Sequence, residues 1–489
     1  MNGKQDMPPK SRKIVAYQFK QPDYSEEIPE TGNLWEKDKL DRKPSAERLV
    51  NMIAGQVGPL VMGLNGRWGE GKTFFLKRFQ KMYGNQKGCA VYFNAWQDDF
   101  LDDPLLSLLS QLRKSIDGLP QDTLVDSVKQ AVLPVLKHAG VSLFKSFVKN
   151  AAKIDIDDIS TEELETRTEK LIGEYETASA SRDELVKALN ELAKNVRAWS
   201  GKPLVIIVDE LDRCRPTFAI ETLERIKHLF AVENIVFVLG IDRSQLESSI
   251  LSVYGKIDAQ GYLQRFIDVE FILPRGSLYE FLRERLEEPQ LAKAIDPAGG
   301  MHDIKSFFSA FCAIADAKRL PPRAVETAIR KFALVACAKD HESHAWTVLT
   351  AYAVGLSLFP DKRLFIRFMN CESEPKDVID AVFSRFSWND VISNKPVVDA
   401  ILYLYTIFYH ASGDVEFRNK FNTNLMEART DTRSDRILTK LPSFTVNANP
   451  RDVYELFQHV PERTQYQVSL KTLLADLREA MFSIVEFAP

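Results

Sequence analysis

The chain has 489 residues, of which 45% are hydrophobic and 27% charged, and its formal net charge is −4. This length exceeds what one hydrophobic core supports, so about two or three domains are expected. The composition is that of an ordinary soluble globular chain, and the charge excludes a wholly basic nucleic-acid coat while leaving room for a local basic groove.

Cysteine usage and apolar runs indicate a cytoplasmic protein without a membrane span. The N-terminus has no apolar segment of the kind found in secretory signals. The longest uncharged apolar runs, Ala345 to Pro360 and Ala400 to Gly413, are shorter than the ~20 residues of a spanning helix. The five cysteines form no C-x-x-C pair and predict reduced thiols, at positions 89, 214, 312, 337 and 371.

The N-terminal region predicts a partly ordered extension followed by one helix. Residues 1 to about 40 are rich in Pro, Lys, Asp and Glu. From Asp41 the sequence predicts a helix with Ser45 as its N-cap and with Leu49 and Ile53 on one face.

The next stretch, Leu60 to Phe79, contains a phosphate-binding loop. Its residues Gly66 to Thr73 read G-R-W-G-E-G-K-T, which is the spacing G-x-x-x-x-G-K-[ST]. An apolar run, Leu60 to Leu64, precedes the glycines and predicts a strand, and an amphipathic helix is predicted from Lys72 to Tyr83. The alternative is a chance match in a glycine-rich turn. The predicted strand before the loop and helix after it favour a phosphate-binding loop over that alternative.

Each residue type in this loop suits a polyphosphate. The glycines let the backbone amides point inward, and the helix that follows directs the positive end of its dipole at the same anion. Lys72 is expected to reach the β- and γ-phosphates, and the Thr73 hydroxyl to bind Mg²⁺. The predicted nucleotide-binding residues are Gly66, Trp68, Gly69, Glu70, Gly71, Lys72, Thr73 and Phe74.

A second strand and a long helical insertion are expected next. Cys89 to Trp96 predicts the strand, and Asp102 to Ile116 predicts a helix. About 107 residues, 97 to 203, precede the next strand, against roughly 30 for a whole βαβ unit. Within this insertion Val132 to Lys153 has one basic and one apolar face, which fits a membrane surface, an acidic partner or simple packing on its own domain.

Two carboxylates follow a strongly apolar run. Leu204 to Val208 predicts a central parallel strand that delivers Asp209 and Glu210 to its carboxyl end. Together with the upstream loop, Asp209 is expected to share Mg²⁺ with Thr73, and Glu210 to orient or deprotonate the attacking water. The alternative is a strand end capped by solvated acids.

Among the remaining predicted core elements, one more strand is followed by an acidic residue. A helix is predicted from Thr217 to Phe230 and a buried strand from Asn234 to Ile241. Asp242 follows this strand and is either a contact for the γ-phosphate or its water, or a plain helix N-cap. The last core strand is expected within Tyr262 to Pro274, with Arg265 just before it.

From Gly276 onward the periodicity is mainly helical. His341 and His344 are three residues apart rather than four, so a zincin-type metal site is not expected. The predicted helical segments are Leu278 to Leu286, Ile304 to Ala315, Val325 to Val335 and Val378 to Phe386.

Five boxes in this order resemble the KAP family of P-loop NTPases, a branch of the additional-strand NTPases related to AAA+ and STAND proteins. They read G-R-W-G-E-G-K-T, F-N-A-W-Q, V-I-I-V-D-E-L-D-R-C, V-F-V-L-G-I-D-R and Y-L-Q-R-F, and the likeness covers about 41 to 335. The resemblance implies an α/β parallel-sheet core, a helical insertion between the Walker A and Walker B strands, and a mainly helical C-terminal region. The expected divisions are an extension at 1–40, the core at 41–275, a helical lid at 276–335 and a helical domain at 336–489.

The resemblance also implies roles for single residues. It places Lys72 and Thr73 on the phosphates and Mg²⁺, Asp209 on Mg²⁺ and Glu210 as the catalytic base. Three further assignments follow from it: Asp242 as the sensor at its strand end, Arg265 as an arginine finger reaching a neighbouring subunit, and Arg323 as a second sensor from the lid. KAP members often carry Lys at the position of Arg265.

Two departures from the family refine the expected function. The acid box is Asp-Glu rather than the frequent Asp-Asp, which favours hydrolysis because Glu reaches further toward a water. The insertion is charged and helical where many KAP proteins have membrane helices, which favours a cytoplasmic member. No N-K-x-D-like guanine signature is present, so ATP with Mg²⁺ is the nucleotide that the resemblance implies.

Three functions are compatible with these motifs. The first is an ATPase that forms homo-oligomers through its nucleotide sites and acts as a switch or motor on a separate effector protein, in prokaryotic anti-phage defence as for many relatives. The second is an adaptor that holds ATP and recruits an effector with little turnover. The third, a nucleic-acid-dependent motor, needs a basic aromatic groove that the sequence does not localise.

Overall fold

The computed structural model describes most of the N-terminal half and part of the C-terminal half of the chain. The described residues are 28, 32–100, 104–117, 183, 185–227, 231–276, 278–286, 302–338, 344–359, 361–373 and 375–383, with the single positions 404, 474, 475, 477, 478 and 481. Two compact units are present, one formed by Asp23–Gly276 and the other by Ser277–Pro489 with Met1–Pro22. The finer division at 40, 275 and 335 remains a prediction.

The first unit is built on a five-stranded sheet in the order β2-β3-β4-β1-β5, in which every pair is parallel. Strand β4 lies between β1 and β3. The parallel sheet with its covering helices confirms the α/β fold class expected from sequence. The strands are β1 Leu60–Asn65, β2 Cys89–Asn94, β3 Leu204–Asp209, β4 Ile235–Ile241 and β5 Val269–Ile272.

Strand β2 ends two residues earlier than the apolar pattern predicts. The side-chain oxygen of Asn94 accepts hydrogen bonds from the amides of Trp96 and Gln97 at 3.1 and 3.2 Å. An Asn side chain that binds the backbone two residues on forms a turn instead of a further ladder pair. The prediction that the strand continues to Trp96 was therefore wrong.

Seven helices accompany this sheet in the described residues of the unit. They are α1 Lys43–Ala54, α2 Lys72–Asn85, α3 Pro104–Asp117, α4 at 185–200, α5 Pro216–Ile226, α6 Arg243–Tyr254 and α7 Ala259–Leu263. A short 3₁₀ turn, Leu211–Arg213, follows β3. Helices α3 and α4 confirm that the insertion is helical where the structure describes it, while Val132 to Lys153 lies outside the described residues.

The predicted cap of α1 was wrong. The helix begins at Lys43, with Pro44 in its first turn, so Ser45 lies inside the helix. Proline favours the first helical turn because its missing amide proton has no partner there anyway. The Ser45 hydroxyl accepts a hydrogen bond from the Arg48 guanidinium at 3.0 Å instead of capping the helix.

Both faces of the sheet are covered, which explains its continuous apolar strands. Successive residues of β3 alternate between two cores: Val205 and Ile207 pack with α1 and α2, whereas Ile206 and Val208 pack with α3 to α7. Helix α4 contributes its apolar side chains to the second of these cores, through Leu185, Leu189, Leu192 and Val196. The carboxyl end of the sheet is thus held rigidly from both sides.

The described residues of the second unit are helical, as the sequence predicts. Helices α9 and α11 pack closely because Gly355 has no side chain; an added Cβ would lie 2.9 Å from Ile314 Cγ2. The helices are α8 Leu278–Leu286, α9 His302–Ala317, α10 Pro322–Ala338, α11 His344–Ser357, α12 Arg363–Met369 and α13 Pro375–Phe383. Across the described stretches of both units, none of the helices combines the length and apolarity needed to cross a bilayer.

Candidate functional site

The carboxyl ends of three neighbouring strands bring the predicted site together. Because β1, β4 and β3 are adjacent and parallel, the residues that follow them meet at one edge of the sheet. Gly66 begins the loop after β1, Asp242 follows β4, and Glu210 follows β3. The Gly66 amide donates to the Ile241 carbonyl at 3.1 Å, so the loop is anchored to the end of β4.

Two glycines give the loop its shape. Gly69 and Gly71 have φ values of 82° and 84°, in the left-handed region that favours glycine. A Cβ added to Gly71 would lie 2.8 Å from Nη1 of Arg42, a buried arginine that also donates from this atom to the Gly71 carbonyl at 3.4 Å. Helix α2 begins at the next residue, Lys72, so its free amides face the loop.

Lys72 is buried at the centre of the loop. Its Nζ donates to the Gly66 carbonyl at 2.7 Å and lies 3.5 Å from Oδ2 of Asp212. Burial raises the pKa of the Asp212 carboxyl, and the nearby Lys72 ammonium acts in the opposite direction. The lysine is therefore fixed in the cradle by a carbonyl and a carboxylate, with one of its three protons left for a ligand.

Asp242 occupies the N-cap position of α6, but its carboxylate caps no helix amide. Oδ2 accepts the amide of Trp68, in the loop, at 3.0 Å, and Oδ1 accepts the Ser244 hydroxyl at 2.7 Å. The plain N-cap interpretation does not describe this side chain. It couples the end of β4 directly to the phosphate-binding loop.

Asp209 is fully buried beneath the loop, and both of its carboxylate oxygens accept hydrogen bonds. The Tyr92 hydroxyl donates to Oδ2 and the Glu210 amide to Oδ1, each at 2.8 Å. Burial raises the pKa of the Asp209 carboxyl, and hydrogen bonds from the Tyr92 and Thr73 hydroxyls counteract that shift. Gly240 in β4 makes room for it, since an added Cβ there would lie 2.5 Å from Oδ1.

Tyr92→Phe tests whether this hydroxyl positions Asp209. Loss of a hydrogen bond to a buried carboxylate is expected to lower the free energy of unfolding by about 1.5–3 kcal/mol. We also expect the variant to need more Mg²⁺ for half-maximal nucleotide binding, measured by Mg²⁺ titration beside denaturant unfolding. Tyr83→Phe is the matched control because its hydroxyl donates to the Pro203 carbonyl at 2.7 Å, and it should lose stability alone. The same Mg²⁺ requirement in both variants would contradict the role of Tyr92.

The Glu210 side chain lies between helix α2, which follows the phosphate-binding loop, and strand β2. Its backbone is left-handed, with φ of 61°, which is uncommon for a residue other than glycine and turns the chain at the end of β3. Oε2 accepts a hydrogen bond from Asn94 at 3.0 Å. Oε1 lies 2.8 Å from Nη2 of Arg213 and accepts the Thr73 hydroxyl at 3.4 Å.

Three predicted loop residues, Glu70, Phe74 and Trp68, make contacts within the protein. The Glu70 carboxylate accepts the Arg67 amide at 2.8 Å and pairs with Arg275 at 3.3 Å, so it closes the loop. The Arg78 guanidinium lies over the Phe74 ring, with its central carbon 3.5 Å from the ring centre. Trp68 is 54% exposed, and its amide donates to the Asp242 carboxylate at 3.0 Å.

The two predicted arginines lie on elements other than the loop and the strand ends described above. Arg265 follows α7, is exposed, and lies 5.9 Å from the centre of the Tyr262 ring. Arg323 lies in the second unit, in the first turn of α10, where its carbonyl accepts the Thr327 hydroxyl at 3.0 Å. Their roles as finger and second sensor remain predictions.

Several residues at the site were not assigned from the sequence. Asn94 had a usable signal, since it ends the strand next to β3 and pairs in register with Asp209. Asp212 and Arg213 belong to the D-E-L-D-R-C box, but only the turn after β3 shows that they face Lys72 and Glu210. No sequence pattern identified Tyr92 or Arg42, because the residue that each one contacts is distant in sequence.

The donor set fits a magnesium nucleotide. Thr73 and Asp209 present oxygen atoms on adjoining elements, and Mg²⁺ is bound in such sites by one or two protein oxygens together with substrate phosphates. Lys72, the loop amides and the first turn of α2 supply positive charge for those phosphates. The chemistry available at this edge of the sheet is therefore phosphoryl transfer with a carboxylate beside the reacting group.

Comparisons with known proteins give one family match and several similar solved structures. The family model described as the KAP family P-loop domain matches residues 42–336. The ORC2 protein of Aeropyrum pernix is 16% identical with a TM-score of 0.29, over 94% of this chain and 98% of that one. Cdc6p of Pyrobaculum aerophilum is 12% identical with a TM-score of 0.31, over 90% and 96%. No curated protein matches the chain.

Proposed function

The chain belongs to the KAP family of P-loop domains, and from this premise we propose that it binds ATP with Mg²⁺ and hydrolyses it to ADP and phosphate. The observation that carries the proposal is the meeting of the phosphate-binding loop with the acidic strand end. The Thr73 hydroxyl, at the start of α2, lies 3.4 Å from Glu210 Oε1, at the end of β3. The loop and the acidic strand end therefore face one space, which supports a hydrolytic site.

We propose the following roles for the chain's own groups. The loop amides and Lys72 bind the β- and γ-phosphates, and Thr73 and Asp209 hold the cation. Mg²⁺, when bound, supplies positive charge to the β- and γ-phosphate oxygens. Glu210 accepts the proton of the attacking water once nucleotide has drawn Thr73 toward the phosphates, and Asp242 reports phosphate occupancy through the Trp68 amide.

We further propose that turnover is coupled to self-assembly. Arg265 is exposed on the first unit, which suits a finger that completes the site of a neighbouring copy. The helical second unit would then act on a separate effector protein, and a cytoplasmic role in anti-phage defence fits the family context. Free thiols in the described residues, at Cys89, Cys214, Cys312 and Cys371, suit that compartment.

An ATP-holding adaptor is the second candidate function. It is favoured by the contacts of Glu210, whose carboxylate is engaged by Asn94, Arg213 and Thr73 rather than left open. A base held in this way gives slow turnover until a partner or nucleotide releases it. The adaptor therefore predicts tight ATP binding with little phosphate release.

One set of measurements on the full chain separates these functions. Phosphate release is measured with ATP and Mg²⁺, with and without DNA or RNA, beside equilibrium binding of ATP. Turnover together with a mass increase on a non-hydrolysable analogue supports the oligomerising ATPase. Binding without turnover supports the adaptor, and stimulation by nucleic acid that weakens with salt supports a nucleic-acid motor. Absence of nucleotide binding contradicts all three.

A further inference from the structure

A fourth acid, Asp212, lies at the same edge of the sheet, beside Lys72. It stands in the 3₁₀ turn Leu211–Arg213, directly after Glu210. The left-handed backbone of Glu210 turns the chain at this point, and Asp212 faces the phosphate-binding loop. Its side chain is only 3% exposed, and Oδ2 lies 3.5 Å from the ammonium of Lys72.

The oxygen atoms of the four acids at this edge differ in their partners. Asp209 accepts Tyr92 through Oδ2 and the Glu210 amide through Oδ1. Glu210 uses both oxygens, with Thr73, Arg213 and Asn94.

Asp242 likewise accepts hydrogen bonds through both of its carboxylate oxygens, from the Trp68 amide and the Ser244 hydroxyl. Asp212 Oδ1 differs from all of these: in the part of the chain that the structure describes, it is buried and accepts no hydrogen bond. Among the oxygens of these four carboxylates, Asp212 Oδ1 is thus the one whose acceptor capacity is available to a ligand.

A buried acceptor without a partner costs about 1–3 kcal/mol, so such atoms in folded proteins generally bind a water or a ligand. The other oxygen of the same carboxylate is fixed by Lys72, the group that meets the γ-phosphate in the proposed function. A molecule on Oδ1 therefore lies beside the γ-phosphate. A water in that place is next to the phosphorus atom that it attacks.

We propose that Asp212 is a catalytic residue that orients the attacking water through Oδ1 while its Oδ2 fixes Lys72; this inference rests on the proposed ATP hydrolysis. The water oxygen forms a bond to the γ-phosphorus as the bond from that phosphorus to the β,γ-bridging oxygen breaks. The products are ADP and inorganic phosphate. The water proton passes to the Glu210 carboxylate and from there to the phosphate product. Asp212 aligns the water, and Glu210 accepts its proton.

Asp212→Asn in the full chain tests this assignment. The variant keeps the shape of the side chain but loses the charge that aligns the water, so turnover should fall roughly 10²–10⁴-fold. Binding of a non-hydrolysable ATP analogue should stay within about tenfold of the wild type or become tighter, because a negative charge next to the phosphates is removed. Trapping of ADP with aluminium fluoride, which imitates the transferring phosphoryl group and its water, should be lost.

Asp258→Asn is the matched control. Asp258 caps α7 through the Gly261 amide at 2.9 Å, and asparagine caps a helix as well as aspartate does. This control should keep turnover and trapping. Asp212→Glu is a second variant, which retains the charge beside Lys72 but moves the oxygens by one methylene, and it should bind the analogue yet turn over at least about tenfold more slowly.

The outcomes separate this inference from the proposed function. Wild-type turnover or trapping in Asp212→Asn, or wild-type turnover in Asp212→Glu, would overturn the role of Asp212 while leaving ATP hydrolysis intact. A wild-type chain that neither binds nor hydrolyses ATP would overturn the proposed function itself. If Asp212→Asn unfolds, as judged by its thermal transition, the Asp212→Glu result decides.

Discussion

Glu210→Gln should retain bound ATP and lose hydrolysis, with turnover reduced roughly 10²–10⁴-fold. Glutamine keeps the length of the side chain and can still accept the Thr73 hydroxyl, so the loop remains in place. It cannot accept the proton of the attacking water. The measurement is steady-state phosphate release beside equilibrium binding of ATP, at saturating Mg²⁺.

Glu191→Gln is the control for this variant, because Glu191 is exposed on α4, away from the sheet edge. It should match the wild type in both assays. If Glu210→Gln loses ATP binding while its thermal transition is unchanged, Glu210 is a binding group and its assignment as the base is wrong. Unchanged turnover would be equally damaging to that assignment.

Lys72→Ala should abolish useful ATP binding, with affinity lowered by more than about 10²-fold. The ammonium is buried in the cradle, 2.7 Å from the Gly66 carbonyl. Truncating one partner of a buried, hydrogen-bonded charge pair between a protein and its ligand costs about 2–5 kcal/mol of binding free energy, and 1.4 kcal/mol corresponds to a factor of ten in affinity. The substitution also leaves Asp212 buried without its counter-ion, beside an anionic ligand. Equilibrium titration with a fluorescent ATP analogue measures the effect.

Lys81→Ala provides the comparison on the same helix, since Lys81 is exposed near the end of α2. Its ATP affinity should be that of the wild type. Denaturant unfolding of both variants establishes that Lys72→Ala is folded. A folded Lys72→Ala chain that binds ATP normally would mean that the glycine-rich loop is not the phosphate site.

The sheet and the loop were predictable because their signals are local. The five apolar residues Leu204 to Val208 indicate a strand buried on both faces, and the glycine spacing at Gly66 to Thr73 predicts a phosphate-binding loop. Parallel neighbouring strands then bring Asp209 to that loop. The last step also needs the order of the strands, β2-β3-β4-β1-β5, which the structure provides.

The finer features of the site depend on contacts between distant positions. Whether Asp242 caps α6 or contacts the loop cannot be read from its neighbours, since its partner, the Trp68 amide, is 174 residues away. The contact of Lys72 with Asp212 spans 140 residues. Ser45 failed as a cap for a local reason, because Pro44 starts the helix earlier. Side-chain partners chosen by the fold are thus the part that sequence patterns miss.

The most direct test of the account is a structure of the full chain with a non-hydrolysable ATP analogue and Mg²⁺. The account predicts the β- and γ-phosphates in the loop against Lys72, and the cation between the Thr73 hydroxyl and the Asp209 carboxylate. A nucleotide bound elsewhere, or phosphates in the loop with the carboxylates of Asp209 and Glu210 turned away from them, would contradict it.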